Sequence, residues 1–205
     1  MRNKTFSNCL ILIGAVCLLL ATLLVLKVWV DEYQASKAIV QLREEFFQEY
    51  MASNDNYDIT PHSKIDEIEN VLPDDTAHSS SGKYIACLFI PALELSLPVQ
   101  SEWSETLLKS APCRYLGTIA EKNIIIAGHN YKSHFGRLRH LNVGDSISLV
   151  AIDGAKYLYT VSNIEVLDST ALDAMEAGNW DLTLFTCTTQ GTQRLTIRCA
   201  AQEAN

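Results

Sequence analysis

From Cys9 to Leu26 the chain carries neither a charge nor a proline. Leucine, isoleucine and valine dominate the stretch, so water offers it no stable fold of its own. At ~1.5 Å of rise per residue a helix over it spans ~27 Å, close to the thickness of a hydrocarbon core. Lys27 can extend its ammonium back towards water from the far end. Arg2 and Lys4 precede the run and every acidic residue follows it. By the positive-inside rule the N-terminus then stays in the cytoplasm and the rest lies outside. A cleavable signal peptide is the competing reading. Its apolar core is normally shorter and ends in a small-x-small site, whereas this one ends in Leu26-Lys-Val-Trp-Val30. The expectation is a single-pass anchor over residues 9–30, behind a cytoplasmic segment of residues 1–8.

Beyond the anchor the chain is acidic. Over all 205 residues the formal net charge is −8, with 24 Asp and Glu, every one of them past the apolar run, against 16 Lys and Arg. No basic face is available for a nucleic-acid backbone, so that class of partner is excluded. Cys9 and Cys17 fall in the apolar run, and Cys87, Cys113, Cys187 and Cys199 lie past it. A disulfide framework must be weighed for an exported chain. The external part is nevertheless long enough to hold itself together by burial. One pair remains open, and neither a metal nor a cofactor is called for by any ligand spacing.

Residues 31–51 read as a helix, with Ala38, Ile39, Leu42, Phe46, Phe47 and Tyr50 recurring at three- and four-residue spacings. It is either a plain stalk below the membrane or a helix that packs on the domain beyond. Residues 52–82 are polar and rich in Asn, Asp, Ser and Pro, as a linker is, with one helical turn expected around Ile65–Val71. His62 and His78 sit there as solvated histidines. From Lys83 short apolar runs alternate with turns. Strands are expected at Tyr84–Phe89, Leu95–Val99, Asn123–Ala127, Ser146–Ala151, Tyr157–Val166, Leu182–Thr186 and Gln193–Cys199. Asp153-Gly154 and Gln190-Gly191 mark tight turns between strands. Short helices are expected at Glu105–Ser110, Phe135–His140 and Ala171–Ala177. The fold class is therefore mainly β, one closed barrel of about 7–8 strands over residues 83–205, preceded by the transmembrane and stalk helices.

Two strand ends present reactive side chains: His129 follows Ile124-Ile-Ile-Ala-Gly128, and Cys187 follows Leu182-Thr-Leu-Phe-Thr186. Arg194 opens the next strand. A rigid strand end holds a side chain within tight tolerances. A thiol is a good nucleophile once ionised, an imidazole can give and take the proton of an amine, and a guanidinium can donate to a developing oxyanion. Together they form an acyl-transfer site if they meet in space. Taken singly, each has a plainer reading. The cysteine is a small core residue, the histidine a turn residue and the arginine a solvated strand residue. His134 and His140, around Phe135-Gly-Arg-Leu138, read as surface or helix-capping groups. Trp103 and Trp180 read as packing or rim residues.

Thr183-Leu-Phe-Thr-Cys187 resembles the TLxTC signature of the sortases, with His129 and Arg194 in the order that family uses. The similarity extends over roughly residues 83–200, through Ile90-Pro91, Leu97-Pro-Val99, Tyr115-Leu-Gly-Thr118, Ala127-Gly-His129 and Leu141-Asn-Val-Gly-Asp145. The resemblance implies a sortase-like barrel in which Cys187 is nucleophile, His129 acid/base and Arg194 oxyanion stabiliser. It implies cleavage of an LPxTG-like sorting signal on secreted proteins through a thioester. The acyl group then passes to an amine of a cell-wall precursor or a pilin lysine, in a Gram-positive-type bacterium. Thr186, beside the nucleophile, is a further expected contact to substrate or oxyanion.

Within the family, Asn130 after the histidine resembles class B enzymes. The short stretch between Leu167 and Leu182 looks more like class A or D, and no class C lid motif is present, so a compact class D-like or unassigned enzyme is expected. Two other readings remain in play. One is a different Cys/His acyl transferase such as an L,D-transpeptidase, although Phe185-Thr-Cys-Thr-Thr189 does not match the Ser-x-Gly-Cys-x-Arg pattern of that group. The other is a catalytically silent, membrane-anchored barrel that binds peptides.

Overall fold

The computed structural model describes residues 2–53 and 82–202. The helical turn expected at residues 65–71, together with His62, His78 and the side chain of Cys9, lies outside the described residues.

Helix α1 runs unbroken over Arg2–Ser53. No proline or glycine pair interrupts the junction between apolar run and expected stalk, so nothing there breaks the hydrogen-bond ladder. The chain divides into two compact units at Gln34/Ala35. In the first unit the helix turns its large side chains outward along its whole circumference: Ile11, Leu12, Leu18 and Val25 are each more than 60 % exposed. A helix apolar all round with nothing packed on it is suited to lipid. Its most apolar window reaches a mean hydropathy of 2.7. Trp29 stacks on Tyr33 one turn later, with ring centroids 5.8 Å apart.

The second unit begins with the rest of α1. Here the helix is amphipathic, and its buried face is Ala35, Ile39, Leu42, Phe46, Phe47 and Tyr50. This face joins the core of the barrel and does not stand as a bare stalk. Phe46 is fully buried and meets the ring of Tyr84 edge-on at 5.9 Å. Glu45 accepts a hydrogen bond from the Tyr84 hydroxyl at 3.0 Å and pairs with Lys83. The helix is thereby fastened to the first strand by both packing and charge.

Eight strands follow: β1 (Tyr84–Ile90), β2 (Leu95–Gln100), β3 (Cys113–Leu116), β4 (Ile124–Ala127), β5 (Ser146–Ala151), β6 (Lys156–Asp168), β7 (Leu182–Cys187) and β8 (Gln193–Ala201). They close into a barrel in the order β1-β2-β3-β4-β7-β8-β6-β5, with β2–β3 and β4–β7 parallel and the other pairs antiparallel. Closure leaves no strand edge unpaired. Short helices α2 (Glu105–Leu108) and α3 (Leu172–Glu176), with a 3-10 helix at Phe135–His140, decorate the connections. At the β5–β6 hairpin Gly154 takes a φ of 90°, which the expected Asp153-Gly154 turn requires.

The expected strands are present with ends displaced by a residue or two. Strand β3 was not expected. It has only four residues, squeezed between Pro112 and Gly117 and carrying Arg114 and Tyr115, so its apolar run is too short to register as a strand. It gains its identity from β4, to which it pairs through Cys113–Ala127 and Arg114–Ile126.

Alternation then sorts the side chains of the half-barrel β4-β7-β8. Ile124, Ile126, Leu182, Leu184, Ile197 and Cys199 fill the interior. Ile125, Ala127 and Phe185 lie on the outer face in a second, smaller cluster with Met175 of α3. On a strand this two-residue period fixes the side of every neighbour.

Candidate active site

That period carries Cys187 to the same outer face as Phe185, at the last position of β7. The antiparallel register pairs Cys187 with Arg194 of β8. Arg194 Nη1 donates a hydrogen bond to Cys187 Sγ at 3.3 Å. The Cys187 side chain is half-buried, open enough for a substrate to reach the sulfur.

His129 arrives from the other neighbour. Strands β4 and β7 are parallel, with Ala127 level with Phe185, and the Gly128 amide prolongs the ladder by donating to the Phe185 carbonyl at 3.0 Å. His129 and Cys187 each lie two residues beyond that Ala127–Phe185 pair. Gly128 has a packing reason to be glycine: a Cβ there would stand 2.5 Å from the Phe135 ring. Adjacent strands β7 and β8 thus bring Cys187 and Arg194 together, and β4, on the other side of β7, ends two residues before His129.

The His129 imidazole is half-buried and rests against Tyr131, with ring centroids 4.9 Å apart. Burial lowers its pKa, the Lys109 cation lowers it further, and Glu105 opposes both. The neutral ring, able to accept a proton, is thus favoured near neutral pH.

Thr186 points the other way, with the interior set, and is 2 % exposed. Among the described residues its hydroxyl has no hydrogen-bond partner, nor has that of Thr188. Both residues line a cavity of about 180 Å³ at the barrel end, together with Cys187, Asn130, Arg139 and Leu195. On the outer face a smaller cavity of about 30 Å³ adjoins Arg194, walled by Tyr115, Asp168, Leu172, Met175 and Phe185.

Several residues are placed differently from expectation. His134 is neither a surface group nor a helix cap. It is fully buried, and its side chain makes no capping hydrogen bond to the 3-10 helix that follows. Among the described residues neither ring nitrogen makes a hydrogen bond of good geometry, and the nearby Ser110 backbone opposes the fall in its pKa. Burial pushes its pKa down to about 4, and repulsion from His129 adds to the effect. It stands edge-on to Tyr131 at 5.4 Å, the ring that also touches His129. Its neighbours Ser133 and Phe135 give no period-two or helical pattern that marks position 134 as buried. Cys199 lies opposite Leu182, at the far end of the strand pair from Cys187 and inside the barrel. Among the described residues no two cysteines are joined in a disulfide.

Arg198 was also missed. It sits on the outer face of β8, four residues past Arg194, and is 2 % exposed. Its guanidinium donates to Glu165 Oε1 at 2.8 Å, to Thr183 Oγ1 at 3.1 Å, and to the Ala174 and Met175 carbonyls at 2.6 Å each. The last two are orphan acceptors of the short helix α3, so Arg198 ties the β6–β7 connection to the barrel wall. The signal was available, since two arginines four apart on a strand share a face.

A model of the sortase domain matches residues 88–202. Among solved structures, the chain is similar to a sortase D5 transpeptidase from Clostridium perfringens, with 19 % identity and a TM-score of 0.59, covering 82 % of this chain and 99 % of that one. It is similar to sortase C1 from Streptococcus suis, with 25 % identity and a TM-score of 0.51 over 60 % of this chain and 75 % of that one. Sortase A from Listeria monocytogenes gives 20 % identity and a TM-score of 0.53, over 60 % and 89 % respectively. No curated protein sequence matches the chain.

Proposed function

Because the chain belongs to the sortase family, we propose that it is a membrane-anchored cysteine transpeptidase that cuts an LPxTG-like sorting signal and joins the new end to an amine. The observation that carries this reading is the 3.3 Å approach of Arg194 Nη1 to Cys187 Sγ at the end of β7, whose parallel neighbour β4 leads into His129.

In the proposed cycle His129 takes the proton of the Cys187 thiol, and the sulfur attacks the carbonyl carbon of the sorting-signal threonine. The carbonyl oxygen takes up the negative charge, and Arg194 donates to it. The intermediate collapses with cleavage of the C–N bond, and His129 hands its proton to the departing amine. The acyl group is then a thioester on Cys187. An incoming amine attacks the same carbon, His129 accepts the proton it sheds, and collapse of the second intermediate forms the new amide and returns the sulfur. The unpartnered Thr186 hydroxyl on the cavity wall supplies one more polar contact for the substrate. The amine comes from a cell-wall precursor or a pilin lysine. Arg2 and Lys4 before the apolar run support a cytoplasmic N-terminus, which puts the barrel outside the cell with the secreted substrates.

The test incubates the full-length protein in detergent micelles with a library of quenched LPxTG-like peptides and a panel of amines. Cleavage with amine-dependent ligation is expected. Cys187→Ala abolishes it, and His129→Ala and Arg194→Ala each reduce it at least a hundredfold, the order of a lost acid/base or oxyanion donor. Hydrolysis of wall peptides in place of sorting peptides, or inertness towards both, overturns the proposal.

A further inference from the structure

Arg194 and Arg198 leave the same face of β8 and meet opposite fates. Arg198 spends its donors on a carboxylate, a hydroxyl and two carbonyls. Arg194 makes no ion pair among the described residues, and its one side-chain hydrogen bond there goes to Cys187. A long, flexible cation so lightly bonded is expected to sample many rotamers. What holds it is a ring. The Arg194 guanidinium carbon lies 5.4 Å from the centroid of Phe185, two residues before the cysteine on the same face. Phe185 is 7 % exposed, and Tyr115 braces it edge-on at 5.3 Å with an interplanar angle of 88°. Trp103 abuts Tyr115 in the same manner at 6.2 Å.

The choice of an aromatic partner has a chemical consequence. An aromatic face attracts a cation through its quadrupole and takes no N–H donor from it. A carboxylate in the same place would accept two of those donors and pull the guanidinium off the sulfur. One carboxylate is near: Asp168 lines the cavity that Arg194 and Phe185 share. Its Oδ1 is turned to Thr170, accepting from the hydroxyl at 2.6 Å and the amide at 2.9 Å, and it makes no ion pair with Arg194 among the described residues.

We propose that Phe185, braced by Tyr115, is a positioning residue that holds the Arg194 guanidinium against Cys187 while leaving its remaining N–H donors free for the substrate carbonyl. This rests on the reading of Cys187 and Arg194 as catalytic, and the experiment separates the two.

In the full-length protein in micelles, the rate of Cys187 carbamidomethylation by iodoacetamide is followed by peptide mass spectrometry, with no sorting peptide present. It is measured for Phe185→Leu, Phe185→Tyr, Arg194→Ala and the Phe185→Leu/Arg194→Ala pair. Phe185→Leu is expected to change the rate in the same direction as Arg194→Ala and by at least half as much on a logarithmic scale. Phe185→Tyr stays within about twofold of the parent, and Phe185→Leu adds nothing once Arg194 is gone. With a cleavable peptide, kcat/KM falls at least tenfold in Phe185→Leu and recovers in Phe185→Tyr. An unchanged alkylation rate in Phe185→Leu, an equal effect in the Arg194→Ala background, or a Phe185→Tyr variant as altered as Phe185→Leu overturns the proposal. If Phe185→Leu fails to fold, Tyr115→Leu takes its place, with a smaller effect that again vanishes without Arg194. Should no peptide be cleaved by the parent, the functional reading fails while the alkylation cycle still decides the role of Phe185.

Discussion

Arg198 holds Met175 by its backbone: Nη1 of the arginine donates to the Met175 carbonyl at 2.6 Å, across the face of β7. The connection between β6 and β7 is therefore anchored by a buried charge as well as by apolar contact. Removing that charge strands Glu165 and two carbonyls together. Arg198→Met is expected to cost about 3–5 kcal/mol, the usual consequence of deleting one partner of a buried ionic network. Glu165→Gln costs less, on the order of 1 kcal/mol, because that carboxylate is a third exposed and the carbonyl contacts survive. Urea unfolding of the two variants checks the ranking, and equal costs contradict it.

His134 gives the fold an acid-sensitive point. Its imidazole is neutral when buried and falls from 6.5 to about 4 on folding. Because the folded value is the lower one, the unfolded chain binds the proton first. The contribution is present in full above pH 6.5 and is lost as pH drops towards 4, by up to about 3 kcal/mol at ~1.4 kcal/mol per decade of proton affinity. His134→Phe is expected to flatten the thermal-stability profile in that window. A variant whose melting temperature falls with acid as steeply as the parent's refutes the assignment.

Lys109 depresses the proton affinity of His129 by repulsion, in addition to the effect of burial. Lys109→Gln removes the repulsion and leaves the burial. The imidazole pKa is then expected to rise, and the limb of the pH–rate profile that reports His129 moves to higher pH with it. NMR titration of the His129 ring measures the shift directly. A value that stays put or falls contradicts the arrangement.

Gly128→Ala is expected to force a Cβ against the Phe135 ring at 2.5 Å. The ring is fully buried and has no room to retreat. Overpacking of this kind typically costs about 1–3 kcal/mol. It also displaces the chain one residue before His129, so turnover should fall by more than the change in folded fraction explains. Comparing kcat with the fraction folded, from the same samples, separates the two effects.

The strands, and with them the strand positions of Cys187 and Arg194, were legible because a barrel wall writes a two-residue period into its sequence and closes its hairpins with Gly or Asp. Ile147, Leu149 and Ala151 alternating with Ser146 and Ser148 is such a record, and β5 occupies those residues. Strand β3 left no such trace, since four residues between Pro112 and Gly117 owe their conformation to β4. The amphipathic end of α1 showed its apolar stripe but not what covers it, because a stripe names no partner. His134 and Arg198 escaped for a related reason. Neither pattern says what buries the side chain: spacing puts Arg198 on the face of Arg194 but not under the α3 carbonyls 23 and 24 residues back, and the Tyr131 ring three residues before His134 gives no sign that the imidazole is buried.

Burial also distributes chemical reactivity among the thiols. Cys87, Cys113 and Cys199 are fully buried in the barrel, and burial pushes the last two up to about 11 and about 12. A water-borne electrophile that stays out of lipid thus finds one address on the barrel, Cys187. A fluorophore or spin label can be installed there without first stripping the buried cysteines of the barrel, and among the thiols of the described barrel residues the one a water-borne oxidant reaches is Cys187, the sulfur proposed to carry turnover.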